Sequence, residues 1–156
     1  MGVHKINVNE NAAVIARGEI EINSDSEKIW EVLVDIENWP LWNPDVKNAS
    51  LEGEVEEGSK FRWKARSVSI NSVFQEVDPP HKLAWTGKTM GIKAVHIWKL
   101  EAKENSTIVK TEESWKGPLT HLMKGKTQKM LQESIDSGLK YLKTEIGRKT
   151  SNILGI

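Results

Sequence analysis

The sequence predicts a single α+β domain in which a curved, seven-stranded antiparallel sheet wraps around one long C-terminal helix. Three observations support this fold: 156 residues suit one domain, short alternating segments follow one another without helices between them, and the last apolar pattern has helical spacing. Two short helices are expected after the first strand. We expect a flexible lead-in over residues 1–11, the domain over residues 12–149 and a tail over residues 150–156.

The first elements are an alternating strand and a capped helix. Apolar and polar residues alternate through Ala13–Ile22, as in a half-buried strand. Ser24 followed by Glu27 has the spacing of a capping box, which predicts a helix over residues 26–36. Two prolines in Asn38–Pro44 then allow only a turn or a single helical turn.

Six further segments have strand chemistry and are separated by turn residues. They are Val46–Leu51, Lys60–Arg66, Ser69–Val77, Leu83–Thr89, Ile92–Ala102 and Thr107–Trp115. Consecutive short strands of this kind indicate an antiparallel meander rather than βαβ units.

The C-terminal segment predicts one helix of about 30 residues that opens at Pro118. Gly125 and Gly138 interrupt its pattern, and each predicts either a bend or a close contact with the sheet. From residue 116 to residue 149 the chain carries eight basic and three acidic residues, a net charge of +5. A solvated lysine face explains this excess most simply, and an acidic partner or membrane surface is the alternative.

Composition excludes several classes of protein. No cysteine is present, which excludes disulfides, thiolate metal sites and a cysteine nucleophile. The 22 basic and 22 acidic residues give no global basic field, so we expect no nucleic-acid partner. No run approaches the roughly 18 apolar residues of a membrane span, and no signal peptide or nucleotide, hydrolase or zinc motif is present. We therefore expect a cytoplasmic protein, monomeric or homodimeric, without metal, cofactor or stable membrane insertion.

The apolar stripe of the long helix must be buried, and the concave face of the sheet is its only large partner. A sheet curled around a helix leaves a gap, and an apolar gap with a few polar groups is the usual form of a small-molecule site. The residues that we expect to line it are Trp39, Trp42, Phe61, Trp63, Phe74, Trp85, Trp98, Trp115, Leu122, Met123 and Met130. For each tryptophan, core packing and ligand contact remain alternatives.

His96 and Glu113 are the candidate catalytic residues. Alternation places His96 on one strand face with Trp98, and Glu113 on one strand face with Trp115. A carboxylate enclosed among tryptophans would have a raised pKa and suit acid or base chemistry. Structural alternatives stay open: a buried, hydrogen-bonded His96, and a Glu113 paired with Arg66 or a helix lysine.

Three stretches carry a family resemblance: Glu76–Trp85, Gly91–Trp98 and Thr111–Pro118. With the order of elements, they resemble the polyketide cyclase/dehydrase branch of the START-like (SRPBCC) superfamily, which has the helix-grip or Bet v 1-like fold. The resemblance implies a deep pocket between the sheet and the C-terminal helix. It supplies no catalytic set that can be placed on individual residues, because the fold hosts many functions.

The sequence is consistent with three functions. The first is binding of a small hydrophobic or aromatic molecule in the cavity. The second is a cyclase or dehydratase that acts on a poly-carbonyl substrate with His96 and Glu113 as acid and base. The third is a protein interaction module of the chaperone-cofactor type, which would use Trp39, Trp42 and the lysine face. Binding is favoured, because no complete catalytic constellation is visible.

Overall fold

The computed structural model describes residues 5–155 and confirms the predicted fold class. Its seven strands form one antiparallel sheet in the order β1-β7-β6-β5-β4-β3-β2. The strands are β1 Val14–Ile22, β2 Val46–Leu51, β3 Lys60–Ala65, β4 Val68–Asp78, β5 Lys82–Thr89, β6 Ile92–Ala102 and β7 Thr107–Lys116. The helices are α1 Ser26–Val34, α2 Trp39–Trp42, α3 Pro118–Leu122 and α4 Lys124–Leu154, with a 3-10 turn at Ile36–Asn38.

The start of α1 differs from the predicted capping box. Asp25, not Ser24, occupies the N-cap position, and its side chain accepts a hydrogen bond from the backbone N–H of Lys28. Both residue types suit this position, so the sequence pattern alone does not choose between neighbours. The helix ends at Val34, two residues before the predicted end, and the chain continues into the 3-10 turn.

The C-terminal segment forms two helices rather than the single helix expected from Pro118 onwards. The five-residue α3 ends at Leu122, the backbone angles of the next residue, Met123, are φ −121° and ψ 39° and not helical, and the 31-residue α4 follows. The interruption therefore lies at Met123 and not at a glycine. Gly125 and Gly138 both lie within α4, and a Cβ added at either would meet no atom within 4 Å.

The close approach of α4 to the sheet is to β1 and β7. Gly18 of β1 makes this approach possible, because a Cβ built there would lie 2.9 Å from Cδ1 of Leu139 and 3.1 Å from Cγ2 of Ile135. A strand glycine commonly marks such a close approach between elements. The buried residues of α4 are Leu131, Ile135, Gly138, Leu139, Leu142, Glu145 and Ile146.

Aromatic side chains occupy the other half of the concave face. Trp39, carried by α2, contacts the rings of Phe61, Trp63 and Trp85 at centroid distances of 5.5–5.7 Å. Phe61 in turn stacks on Phe74 at 4.6 Å. Rings at these separations and tilts pack favourably. This half of the predicted lining is therefore a packed aromatic cluster beneath α2.

Residues 5–11 cross the convex face of the sheet. Val8 is buried there with Ala84 and Ile97. Glu76 and Lys82 form an ion pair of 2.7 Å and hold the backbone of Ile6 from both sides, since Glu76 accepts from its N–H and Lys82 donates to its carbonyl. Residues 1–4 lie outside the described part of the chain. No helix within residues 5–155 has the length and apolar character needed to cross a membrane.

Candidate functional site

His96 and Glu113 lie directly opposite each other on neighbouring strands, as the register of β6 and β7 requires. Both side chains point to the concave face, and His96 Nδ1 lies 3.1 Å from Glu113 Oε1. The other carboxyl oxygen, Oε2, accepts a 2.6 Å hydrogen bond from the indole N–H of Trp115. The structure thus brings together the two candidate catalytic residues as one contacting pair.

The hydroxyl of Thr111 fixes the proton positions in this pair. Thr111 donates its single hydroxyl proton to the carbonyl oxygen of Ile97 at 3.0 Å, so toward His96 Nε2, at 2.9 Å, it acts as the acceptor. His96 therefore carries its proton on Nε2, and in the neutral ring Nδ1 is an acceptor. Glu113 supplies the matching donor only when it is protonated.

Burial favours this neutral arrangement over an ion pair. It raises the pKa of Glu113 to about 7, against the smaller opposing effect of the Trp115 hydrogen bond, and it lowers the pKa of His96 to about 3. The distance between Nδ1 and Oε1 would also suit an ion pair, which requires a protonated imidazole. If the ring is neutral and the carboxylate is ionised, both atoms are acceptors and Nδ1 has no donor to bond to. We therefore assign the single proton between Nδ1 of His96 and Oε1 of Glu113 to the carboxyl group of Glu113.

Every proton of the pair is engaged within the chain. With the proton assigned to Glu113, the hydrogen bonds run from Trp115 to Glu113, from Glu113 to His96, from His96 to Thr111, and from Thr111 to the carbonyl of Ile97. A bound molecule can exchange a proton with the pair only if one of these bonds breaks. The arrangement therefore resembles a satisfied polar network that also contains a neutral carboxylic acid.

The pair borders accessible space on the concave face. The side chains of His96 and Glu113 keep 11% and 15% of their surface accessible, and their inward-facing neighbours Ala94 and Trp115 are half-buried. At the other end of the same strands, the inward-facing Leu100 and Val109 are buried. The accessible part of the concave face thus lies toward the β5–β6 turn and the β7–α3 junction.

Trp98 holds a buried donor with no acceptor. The residue is 7% exposed, and within residues 5–155 its indole Nε1 has no hydrogen-bond partner. Other tryptophans of the concave face do donate: Trp39 to the carbonyl of Leu33, Trp63 to the hydroxyl of Ser72, and Trp115 to Glu113. Most buried donors in proteins are paired, so an exception needs an explanation.

The register places Trp98 in one row with Thr111 and Gly18, the residue against which α4 packs. Two strand spacings of about 4.8 Å separate Trp98 from Gly18 along this row. Gly138 is buried on the sheet side of α4, yet a Cβ built there would meet nothing within 4 Å. Space therefore remains beside the helix, next to its contact with β1.

The other predicted lining residues divide into three groups. Trp39, Phe61, Phe74 and Trp85 are buried in the aromatic cluster, and Trp63 is half-buried at its edge. Trp42 borders a separate groove of about 610 Å³ between α1, α2 and the C-terminal half of α4. The third group is exposed at the start of the C-terminal segment: Leu122, Met123 and Met130, with exposed fractions of 80%, 45% and 37%.

Arg66 and the other described histidines lie away from the pair of His96 and Glu113. Arg66 lies 3.8 Å from Asp45 and not at Glu113. His81 is exposed and lies 3.7 Å from Asp78, His121 is exposed, and His4 is outside the described residues. Within residues 5–155, no three His, Cys, Asp or Glu side chains are grouped closely enough to hold a metal ion.

Thr111 is the participant that sequence reasoning missed. Alternation already places it on one strand face with Glu113, but a threonine on a strand carries no chemical signal of its own. Only the strand register shows that its hydroxyl meets the imidazole of His96.

Comparison with known proteins agrees with this fold. Residues 13–147 match the family model described as polyketide cyclase / dehydrase and lipid transport. No curated protein sequence matches the chain. Among solved structures, hypothetical protein jhp0584 from Helicobacter pylori has a TM-score of 0.81 at 15% identity and covers 93% of this chain and 96% of its own.

Two further structures show the same fold. Protein TTHA0849 from Thermus thermophilus has a TM-score of 0.77 at 18% identity, with 88% of this chain and 99% of its own covered. A START superfamily protein from Mycobacterium smegmatis has a TM-score of 0.73 at 15% identity, with 86% and 97% covered. Because the family model covers residues 13–147, the chain belongs to the polyketide cyclase/dehydrase and lipid transport family, as its sequence resemblance implied.

Proposed function

We propose that the protein binds a small hydrophobic or aromatic molecule that carries one hydrogen-bond acceptor, in the space between the sheet and α4. The observation that carries this proposal is the unpaired indole N–H of Trp98 in a buried, apolar setting. Leaving a buried donor unpaired costs about 1–3 kcal/mol, and a ligand oxygen would remove that cost. The family description, which includes lipid transport, is consistent with such a ligand.

The surrounding residues set the ligand class. Below pH 7 His96 and Glu113 are neutral and contact each other, so they offer no charge to balance an ionised ligand. Burial of an unbalanced charge is costly, whereas an apolar body gains from the aromatic walls. An uncharged ketone, ester or quinone attached to an apolar skeleton fits these conditions best.

Two naphthalenes of nearly equal shape test the acceptor directly. We expect 2-acetylnaphthalene, which has a carbonyl oxygen, to bind about 5–10-fold more tightly than 2-isopropenylnaphthalene, since a net hydrogen bond is worth about 1 kcal/mol. Trp98→Phe should remove this preference, and Trp30→Phe, which changes a buried core tryptophan, should preserve it. Tryptophan fluorescence titration measures all six affinities.

Equal affinity of the unmodified protein for the two compounds would contradict the role of Trp98. Failure of both compounds to bind would contradict the pocket itself. Native mass spectrometry of freshly purified protein gives an independent view, since a co-purified uncharged molecule with an apolar skeleton is the expected finding.

A second candidate function is supported by the neutral carboxylic acid of Glu113 beside His96. In a cyclase or dehydratase, the two would act as acid and base on a poly-carbonyl substrate once the ligand displaces their mutual hydrogen bond. The family description names this activity. The saturated network counts against it, because the pair must first be opened.

Substitution separates the two functions. If the pair is catalytic, Glu113→Gln and His96→Gln should each lower turnover of a poly-carbonyl substrate by about 100-fold or more, with a smaller change in affinity. Glu112→Gln is the matched control, because Glu112 is the next residue on β7 and pairs with Arg17 on the opposite face. Binding without turnover is the expected result, and turnover that survives both substitutions would exclude these residues as acid and base.

A further inference from the structure

One end of the molecule exposes large apolar side chains. Met90 lies in the turn between β5 and β6 and is 72% exposed, and Leu122 at the end of α3 is 80% exposed. Leu119 and Met123 are also exposed. The turn and α3 adjoin each other, because the carbonyl of Gly91 lies directly against Gly117. We call these four residues, Met90, Leu119, Leu122 and Met123, the apolar tip.

Local backbone preferences do not explain Met90. Met90 and Gly91 both have positive φ, 46° and 76°, in a two-residue hairpin turn. Asn, Asp or Gly is favoured at the first of these positions, since other side chains are strained there. A long apolar side chain thus occupies a position that disfavours it and projects into solvent, which points to a contact outside the chain.

Lysines surround the apolar tip. Lys88, Lys93 and Lys116 stand side by side in register on β5, β6 and β7, although like charges placed opposite each other destabilise a sheet. All three are exposed, and none has a carboxylate within 4 Å among residues 5–155. Lys124 and Lys126 are exposed in the first turn of α4, directly after Met123 in the chain.

Acidic residues are missing from this region of the sequence. Residues 79–100 and 114–132 contain no Asp or Glu. Asp45, just before β2, lies 3.8 Å from Arg66 in the neighbouring hairpin turn, and Glu10, before β1, lies 2.6 Å from Arg17. The end of the molecule is therefore positively charged, while the whole chain has no net charge.

We propose that this end is a docking surface for anionic lipid bilayers, with the apolar tip in the headgroup region and the lysines on the anionic headgroups. Protruding apolar side chains ringed by cations suit the boundary between headgroups and acyl chains. A protein partner would need a matching recess for the tip, whereas a bilayer adapts to its shape. This surface does not depend on the identity of any ligand in the interior.

Vesicle sedimentation tests the charge requirement. At low salt, we expect binding to vesicles of phosphatidylcholine with 30% phosphatidylserine and not to pure phosphatidylcholine, and we expect release at high salt. Replacing Lys88, Lys93 and Lys116 by Gln should weaken binding about 100-fold, since each lysine near the surface contributes about fivefold. The matched control replaces the exposed Lys28, Lys103 and Lys143 by Gln, which alters the net charge equally and should change affinity less than threefold.

Site-specific labelling tests the apolar tip. Because the chain has no cysteine, Leu122→Cys or Ile153→Cys introduces one attachment point for an environment-sensitive fluorophore. Ile153 is 75% exposed near the far end of α4 and serves as the control. A blue shift on anionic vesicles is expected only for the label at position 122.

Several results would overturn the proposal. No binding to anionic vesicles, equal binding to neutral ones, or equal weakening by both lysine replacements would each do so. A blue shift at position 153 alone would show that the tip does not face the bilayer, and a blue shift at both positions would show that contact is not specific to the tip. Circular dichroism of each variant confirms that the fold is retained.

Discussion

A chain that ends at Gly117 is expected to lose cooperative unfolding altogether. Removal of α3 and α4 uncovers the concave face and deletes five buried aliphatic residues: Leu131, Ile135, Leu139, Leu142 and Ile146. Each buried side chain of this size contributes about 1.5–3 kcal/mol, so their sum reaches the whole stability of a typical domain, about 5–15 kcal/mol.

Thermal and denaturant unfolding, followed by circular dichroism, measure this effect. A chain that ends at Lys149 is the control, since it retains all five buried residues and should unfold cooperatively. A soluble chain ending at Gly117 with a sharp unfolding transition would contradict the role of α4 as the main partner of the sheet.

The second large effect concerns pH. In the folded protein Glu113 has a raised pKa of about 7, above its ordinary 4.5, so its contribution to stability is present below pH 4.5 and is lost as the pH rises to 7. His96 has a lowered pKa of about 3, below its ordinary 6.5, so its contribution is present above pH 6.5 and is lost as the pH falls to 3. Between pH 4.5 and 6.5 Glu113 therefore lowers the free energy of unfolding as the pH rises, whereas His96 raises it, so the two slopes have opposite signs.

The two slopes cancel because the pair binds one proton in both states. Unfolded, the proton is on His96, and folded, it is on Glu113. The contribution of the pair to the free energy of unfolding is thus independent of pH between 4.5 and 6.5. When one member is replaced, the free energy of unfolding should change with pH through the other member alone, by about 1.4 kcal/mol per pH unit.

We therefore expect opposite pH dependence from the two single variants, measured against the unmodified protein. Between pH 4.5 and 6.5, His96→Gln should lose about 3 kcal/mol of stability as the pH rises, and Glu113→Gln should gain a similar amount. The double variant should follow the unmodified protein. Urea unfolding at several pH values measures the differences, and parallel curves for all four proteins would contradict the shared-proton assignment.

The fold was predictable because alternation and helical spacing are local signals. All six strands after the first lie within two residues of their predicted ends, for example β2 at Val46–Leu51. Local signals were weaker where adjacent residues offer the same chemistry, as Ser24 and Asp25 do at the start of α1. The interruption at Met123 was not predictable, because no residue type there disfavours a helix.

The site was predictable in part. Alternation correctly grouped His96 and Glu113 on inward faces, and their contact follows from the register of β6 and β7. The direction of the shared proton depends on the hydroxyl of Thr111 and the indole of Trp115, which no sequence pattern specifies. Similarly, the contacts of Trp39 with Phe61, Trp63 and Trp85 join α2 to the sheet, and no local sequence pattern specifies them.

Gly18 has no side chain, so it places no atom between the backbone of β1 and α4. Its missing methyl group lets Leu139 and Ile135 rest on the strand backbone, which fixes how deeply the helix sits in the curved sheet. A larger residue at this single position would lift the helix, and the lift would widen the interior without altering any residue that lines it. In the proposed ligand-binding function, the residue at position 18 would therefore help to set the size of the bound molecule without touching it.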